Sequence, residues 1–140
     1  MQVVMTEAEL GAFLAREFPQ VAADFAVERL TAHGIVMRLR VAERHLRPGG
    51  TVSGPNIFAL ADVAVYLALL ARIGPVALAV TTNAGIDFLR KPEAGRDLIG
   101  EARILKLGRV LAVGDVLVRS DGGADPVARA NLTYSIPPVR

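Results

Sequence analysis

Asp62 is the residue whose type and setting most demand an explanation. From Ile57 to Ala71 every other position is apolar. An ionised carboxylate between Leu60, Ala61, Val63 and Ala64 is costly to bury unless it is paired, hydrogen-bonded or protonated. Two readings stand side by side. One is a structural aspartate satisfied by a backbone N–H or a buried arginine; the other is a general base or nucleophile kept for chemistry. Other chemistries find no support in the residue types. Without cysteine the chain has neither a thiol nucleophile nor a disulfide frame. His33 and His45 have no helical partner at metal spacing, so no metal site is expected. Gly49, Gly50 and Gly54 form no nucleotide-binding loop pattern, and no G-x-S-x-G elbow occurs.

The element that must position Asp62 runs from Ser53 to Gly74. Ser53 and Gly54 are suited to cap a helix, Pro55 fits its first turn, and Gly74 with Pro75 stops it. Its apolar run is shorter than the roughly 20 residues a bilayer requires, which predicts the enclosed core helix of a soluble protein and not a membrane anchor. Upstream, Thr6 and Glu9 form a capping box for an amphipathic helix over Thr6–Phe18 that Pro19 ends. Its Leu10, Phe13, Leu14 and Phe18 recur at helical spacing and are expected to pack against a sheet. Phe25–Leu30 and Ile35–Val41, joined at His33 and Gly34, alternate as a hairpin with one solvated face.

After the long helix, Val76–Leu89 reads as one strand. Val76, Leu78, Val80, Ala84, Ile86 and Phe88 share one face; Ala77, Ala79, Thr81, Asn83 and Asp87 share the other, and Gly85 is the expected bend. Leu98–Leu105, Leu111–Ser120 and Val127–Ile136 complete a four-stranded meander. The expected fold is α+β, a single domain over 1–140 with an antiparallel sheet curled around one helix.

Composition narrows the partners. The chain has 140 residues, 52% of them hydrophobic, and its mean hydropathy of +0.40 predicts that a second copy covers some apolar surface. The 16 basic residues are scattered among 14 acidic ones and aromatics are 5% of the chain, so no nucleic-acid face is expected. The amino terminus MQVVMTEAEL lacks a basic stretch followed by an apolar one. With the absence of cysteine, this predicts a cytoplasmic protein.

The run HLRPGGTVSGPNIFALADVAVYLALLA, followed by TTNAGIDFLRKP and the closing hairpin, resembles the hotdog-fold thioesterases of the phenylacetate-degradation (PaaI-like) type over roughly residues 25–136. In that family the central helix begins with a histidine and two glycines, and an acidic residue lies nine positions after the histidine. Here Ser53 stands at the histidine, Gly54 and Pro55 at the glycines, and Asp62 at the acidic position within Leu60-Ala61-Asp62. Arg47 replaces an asparagine six residues before the histidine. The resemblance implies an acyl-CoA thioesterase with coenzyme A as part of the substrate and no separate cofactor. Asp62 would be base or nucleophile, and the Gly54 N–H at the positive helix end would polarise the carbonyl.

Gly54 and Asp62 are about 12 Å apart along one helix, too far to act on one carbonyl. Two helices packed antiparallel about a two-fold axis would bring Gly54 of one copy to Asp62 of the other, so a homodimer, possibly a dimer of dimers, is expected. The resemblance gives Thr81 a water-orienting hydroxyl, against the reading of an ordinary strand threonine. Asn56 would touch substrate or serve the cap. Arg90, Lys91 and Arg96 would meet coenzyme A phosphates or simply be solvated. Two alternatives on the same fold are a non-catalytic acyl-CoA-binding protein and a hydratase or dehydratase.

Overall fold

The computed structural model describes residues 1–138; Val139 and Arg140, the end of the expected domain, lie outside the described residues. The capping box forms as expected: the Thr6 hydroxyl accepts from the Glu9 N–H and the Glu9 carboxylate accepts from the Thr6 N–H, opening helix α1 (Glu7–Glu17). Leu10, Phe13 and Leu14 are buried. Pro19 does more than end this helix. It takes the first position of a one-turn helix α2 (Pro19–Ala22), where its missing N–H costs nothing.

Strands β1 (Phe25–Leu30) and β2 (Gly34–Leu39) form the expected hairpin. The outer face of β2 is not simply solvated, because β2 is an interior strand. Val36 is buried there, and the Arg38 guanidinium is tied to Glu28, Asp97 and Asp121 at 2.6, 3.0 and 2.7 Å. Then come helix α3 (Gly54–Ile73) and strands β3 (Val80–Phe88), β4 (Leu98–Leu107), β5 (Leu111–Ser120) and β6 (Pro126–Ser135).

The sheet is wholly antiparallel in the order β1-β2-β4-β5-β6-β3. The meander is therefore β4-β5-β6 alone, and β3 is an edge strand beside β6. The apolar helix is the reason: the chain enters α3 from one side of the sheet and leaves it at the other, so both flanks are covered. At 20 residues with mean hydropathy 1.8, α3 is long and apolar enough to cross a membrane, so length does not exclude a span as the shorter apolar run suggested. Its setting decides the matter: 72% of its most apolar stretch is buried against the sheet and α1. Gly74, at φ 96°, ends it. The buried Arg72 pins that end by donating to the carbonyls of Thr31, Gly34 and Ala68 at 2.7 to 3.1 Å.

The strand after α3 is shorter than its alternation suggests and is bent elsewhere. Residues 75–79 form a turn, closed by the Ala79 N–H on the Val76 carbonyl at 3.1 Å, and β3 begins only at Val80. The register slips between Thr81 and Asn83, whereas Gly85 stays in register with Asn131, whose Oδ1 would lie 2.8 Å from any added Cβ. A bulge at Thr82 reverses the faces across it. Ile86 packs on the core as expected, but Thr81 faces α3 while Val80 is 57% exposed.

Candidate active site

The start of α3 is held by the loop that precedes it. Gly49 and Gly50, at φ 101° and 82°, let the chain reverse tightly between Arg47 and Thr51, whose backbones bond at 2.9 Å. His45 anchors the loop. Its Nδ1 accepts from the Ala42 N–H at 2.8 Å and its Nε2 lies 3.3 Å from Asp24, while burial pushes the imidazole below its ordinary pKa. The His45 carbonyl accepts from the Ser53 N–H at 2.9 Å and from Asn56 Nδ2 at 3.3 Å.

Ser53 occupies the cap position with extended backbone but makes no capping bond; its hydroxyl instead accepts from Asn56 Nδ2 at 2.8 Å. Ser53 and Asn56 thus serve the loop. The Asn56 and Ile57 N–H groups both turn back to the Ser53 carbonyl, and Pro55 has no N–H. Among the described residues no acceptor meets the Gly54 N–H, which is left as a free donor at the positive end of a long helix.

That donor opens on a cavity of about 350 Å³ bordered by Arg47, Phe88, Arg90 and Lys91. A Cβ on Gly54 would lie 3.2 Å from the Phe88 ring, so the aromatic forms a wall directly over the helix start. Arg47 and Lys91 are exposed, and Arg90 makes a loose exposed pair with Asp125 at 3.4 Å. Arg96 turns elsewhere, to Glu93 and the Asp121 carbonyl.

Asp62 lies in a different cavity, of about 420 Å³, walled by Phe18, Val63, Leu78 and Val80 with Glu17 among its lining residues. Phe13 packs as expected, its ring 6.2 Å from that of Tyr66, but Phe18 is 39% exposed at this cavity and does not join the core. Asp62 is half-buried and meets no arginine among the described residues. Its partners are two hydroxyls: Thr81 Oγ1 donates to Oδ1 at 2.6 Å, and the Tyr134 hydroxyl donates to the same oxygen at 2.7 Å and to the Asp62 carbonyl at 3.1 Å. Burial foremost, and then the charge of Asp62, hold the Tyr134 phenol well above its ordinary pKa.

The structure therefore brings Asp62 together with Thr81, and Gly54 together with Arg47, Arg90 and Lys91, in two separate cavities. Tyr134 is the residue that sequence reasoning missed. Its signal was its place at the end of an alternating strand with Ala130 and Leu132, because a tyrosine on a buried face needs a polar partner. Among the described residues no group of three histidines or carboxylates converges on a possible metal site.

Comparison with known proteins identifies the family and the fold. The sequence model of the Thioesterase superfamily matches residues 49–127. A Pseudomonas aeruginosa protein named as a candidate esterase is 31% identical over 103 residues, which cover 74% of this chain and 75% of that protein. Among solved structures, one of a candidate thioesterase from Silicibacter sp. TM1040 is 60% identical, with a TM-score of 0.93 over 99% of this chain and 96% of that one. A mutant of the phenylacetic acid degradation protein PaaI from Thermus thermophilus is 30% identical, with a TM-score of 0.72 over 85% of this chain and 99% of that one.

Proposed function

The chain belongs to the thioesterase superfamily and has its hotdog fold, and from that premise we propose that it hydrolyses an acyl- or aryl-CoA thioester in a site built by two copies together. One observation carries the reading: a free Gly54 N–H beside three cationic side chains, and a carboxylate beside apolar walls, lie in separate cavities of one chain, about 12 Å apart along α3. Neither half is sufficient. Joined across a two-fold axis, the cationic half would take the coenzyme A phosphates and the apolar half the acyl group.

Two features support that axis. The described residues of α3 that keep solvent contact include Pro55, Phe58, Ala59 and Asp62, spaced along a single helical face. Beside them β3 is a sheet edge, with Val80 at its start and Leu78 in the turn before it exposed at 57% and 81%, a surface suited to pairing with its own copy.

In such a site Asp62 would either take a proton from the attacking water or attack the carbonyl carbon itself. The developing oxyanion would be held by the Gly54 N–H of the second copy. On the first route collapse breaks the C–S bond and the thiolate leaves with the proton that Asp62 took from water, giving an acid and free coenzyme A. On the second the thiolate leaves an anhydride between the acyl group and Asp62, which water then hydrolyses to the acid while the thiolate takes up the proton that this water releases.

Hydrolysis of a panel of acyl-CoA thioesters by the wild type and Asp62→Asn tests the reading. Asparagine keeps an oxygen for Thr81 and Tyr134 but loses basicity and nucleophilicity. Turnover should fall about 100-fold or more while the melting temperature holds or rises. Full activity in Asp62→Asn would refute the assignment. Wild-type binding without hydrolysis would point instead to a non-catalytic acyl-CoA-binding protein.

A further inference from the structure

We infer that Tyr134 and Thr81 act as a pair of positioning residues that hold Oδ1 of Asp62, so that Oδ2 alone is the oxygen presented to the thioester. The inference rests on the proposed role of Asp62 and adds to it the question of which atom reacts and what fixes it.

The arrangement follows from the sheet register. Thr81 of β3 and Tyr134 of β6 are directly paired across the two strands, and the bulge at Thr82 is what turns Thr81 toward α3. Both hydroxyls reach the same atom, at 2.6 and 2.7 Å, and none of the described contacts reaches Oδ2. A carboxylate oxygen that accepts two short charge-assisted hydrogen bonds is fixed in position, and the plane of the group is fixed with it. The second contact of the Tyr134 hydroxyl, to the Asp62 carbonyl, ties side chain and backbone of one residue to one donor.

Tyr134 is itself held. Its ring stacks on that of Tyr66 at 5.9 Å, and the Tyr66 hydroxyl donates to the Ala77 carbonyl at 2.9 Å. Tyr66 lies one helical turn beyond Asp62, so the ring supporting the donor rides on the same helix as the acceptor. The Thr81 hydroxyl, which resemblance assigns to orienting water, is committed to the carboxylate instead. Water must then be oriented by Oδ2 itself or by the second copy.

The test compares steady-state kinetics of the wild type, Tyr134→Phe, Thr81→Val and Asp62→Asn on one acyl-CoA that the wild type hydrolyses. Phenylalanine keeps the stacking on Tyr66 and removes only the hydroxyl. Tyr134→Phe and Thr81→Val should each lower kcat by about 10- to 100-fold with KM little changed, the range in which a misplaced reacting group acts. Thr81→Ser, which restores the donor, should recover most of the loss. The double variant should lose less than the product of the two single losses, because both donors hold one oxygen.

Unchanged kcat in Tyr134→Phe, with Asp62→Asn inactive, would overturn this inference and leave the proposed function standing. Full activity in Asp62→Asn, or no hydrolysis by the wild type, would overturn both. A loss in Tyr134→Phe that tracks a fallen melting temperature, with kcat per folded molecule unchanged, would make Tyr134 merely structural.

Discussion

At the scale of single residues, a half-buried carboxylate is kept in place by hydroxyls, with no cation on it among the described residues. Asp62 has two hydroxyl donors, and the phenol that supplies one of them is held neutral by burial. The chain has two tyrosines and no tryptophan, so their ionisation can be followed by absorbance without interference. Burial raises both phenols above the ordinary value of about 10, Tyr66 as well as Tyr134. The unfolded chain releases these protons first, so the stability they contribute is intact below pH about 10 and is lost as pH climbs above it. An alkaline titration should therefore show Tyr134 un-ionised near pH 10 while helical circular dichroism persists, with Tyr66 ionising later than a free phenol. Both phenols titrating as free ones near pH 10 in a folded protein would contradict the described burial. Asp62 was legible in the sequence because a charge in an apolar run stands out. Tyr134 was not, because a tyrosine in an alternating strand is an ordinary core residue until its neighbour across the sheet is known.

At the scale of elements, the sequence carries the local signals but not the strand pairings. The capping box of α1, Pro55 in the first turn of α3 and Gly74 at its end all stand where their chemistry puts them. Ser53 does not cap, because its hydroxyl accepts from Asn56; the Gly54 N–H is free because the first N–H of a helix has no carbonyl one turn behind it to donate to. The edge position of β3 and the bulge at Thr82 depend on which strand β3 meets, and alternation within a strand carries no such information. The loop after β3 supplies a prediction at this scale. Arg90 and Lys91 border the cavity at the Gly54 end and are remote from Asp62, so they should bind phosphate without taking part in bond breaking. Replacing both by alanine should raise KM, leave kcat nearly unchanged and flatten the dependence of KM on salt. An equal fall in kcat and kcat/KM would count against that role.

At the scale of the whole molecule, the Gly54 N–H and the Asp62 carboxylate of one chain face different cavities, and the central claim is that a second copy makes each of them part of a complete site. Mixing two inactive variants tests it most directly. Asp62→Asn disables the carboxylate half. Gly54→Pro removes the free N–H at the first helical position, after a residue already in extended conformation at φ −70° and ψ 154°; its ring must push aside the exposed Phe88 side chain, so circular dichroism first checks that the variant is folded. In a mixed dimer of these chains, one site inherits both defects and the other inherits none. Random reassociation at equal amounts makes half the dimers mixed, so activity should recover to about a quarter of the wild-type value. If both functional groups acted from the same chain, every site in the mixture would remain defective. No recovery on mixing, with mixed dimers demonstrated to form, would contradict the account.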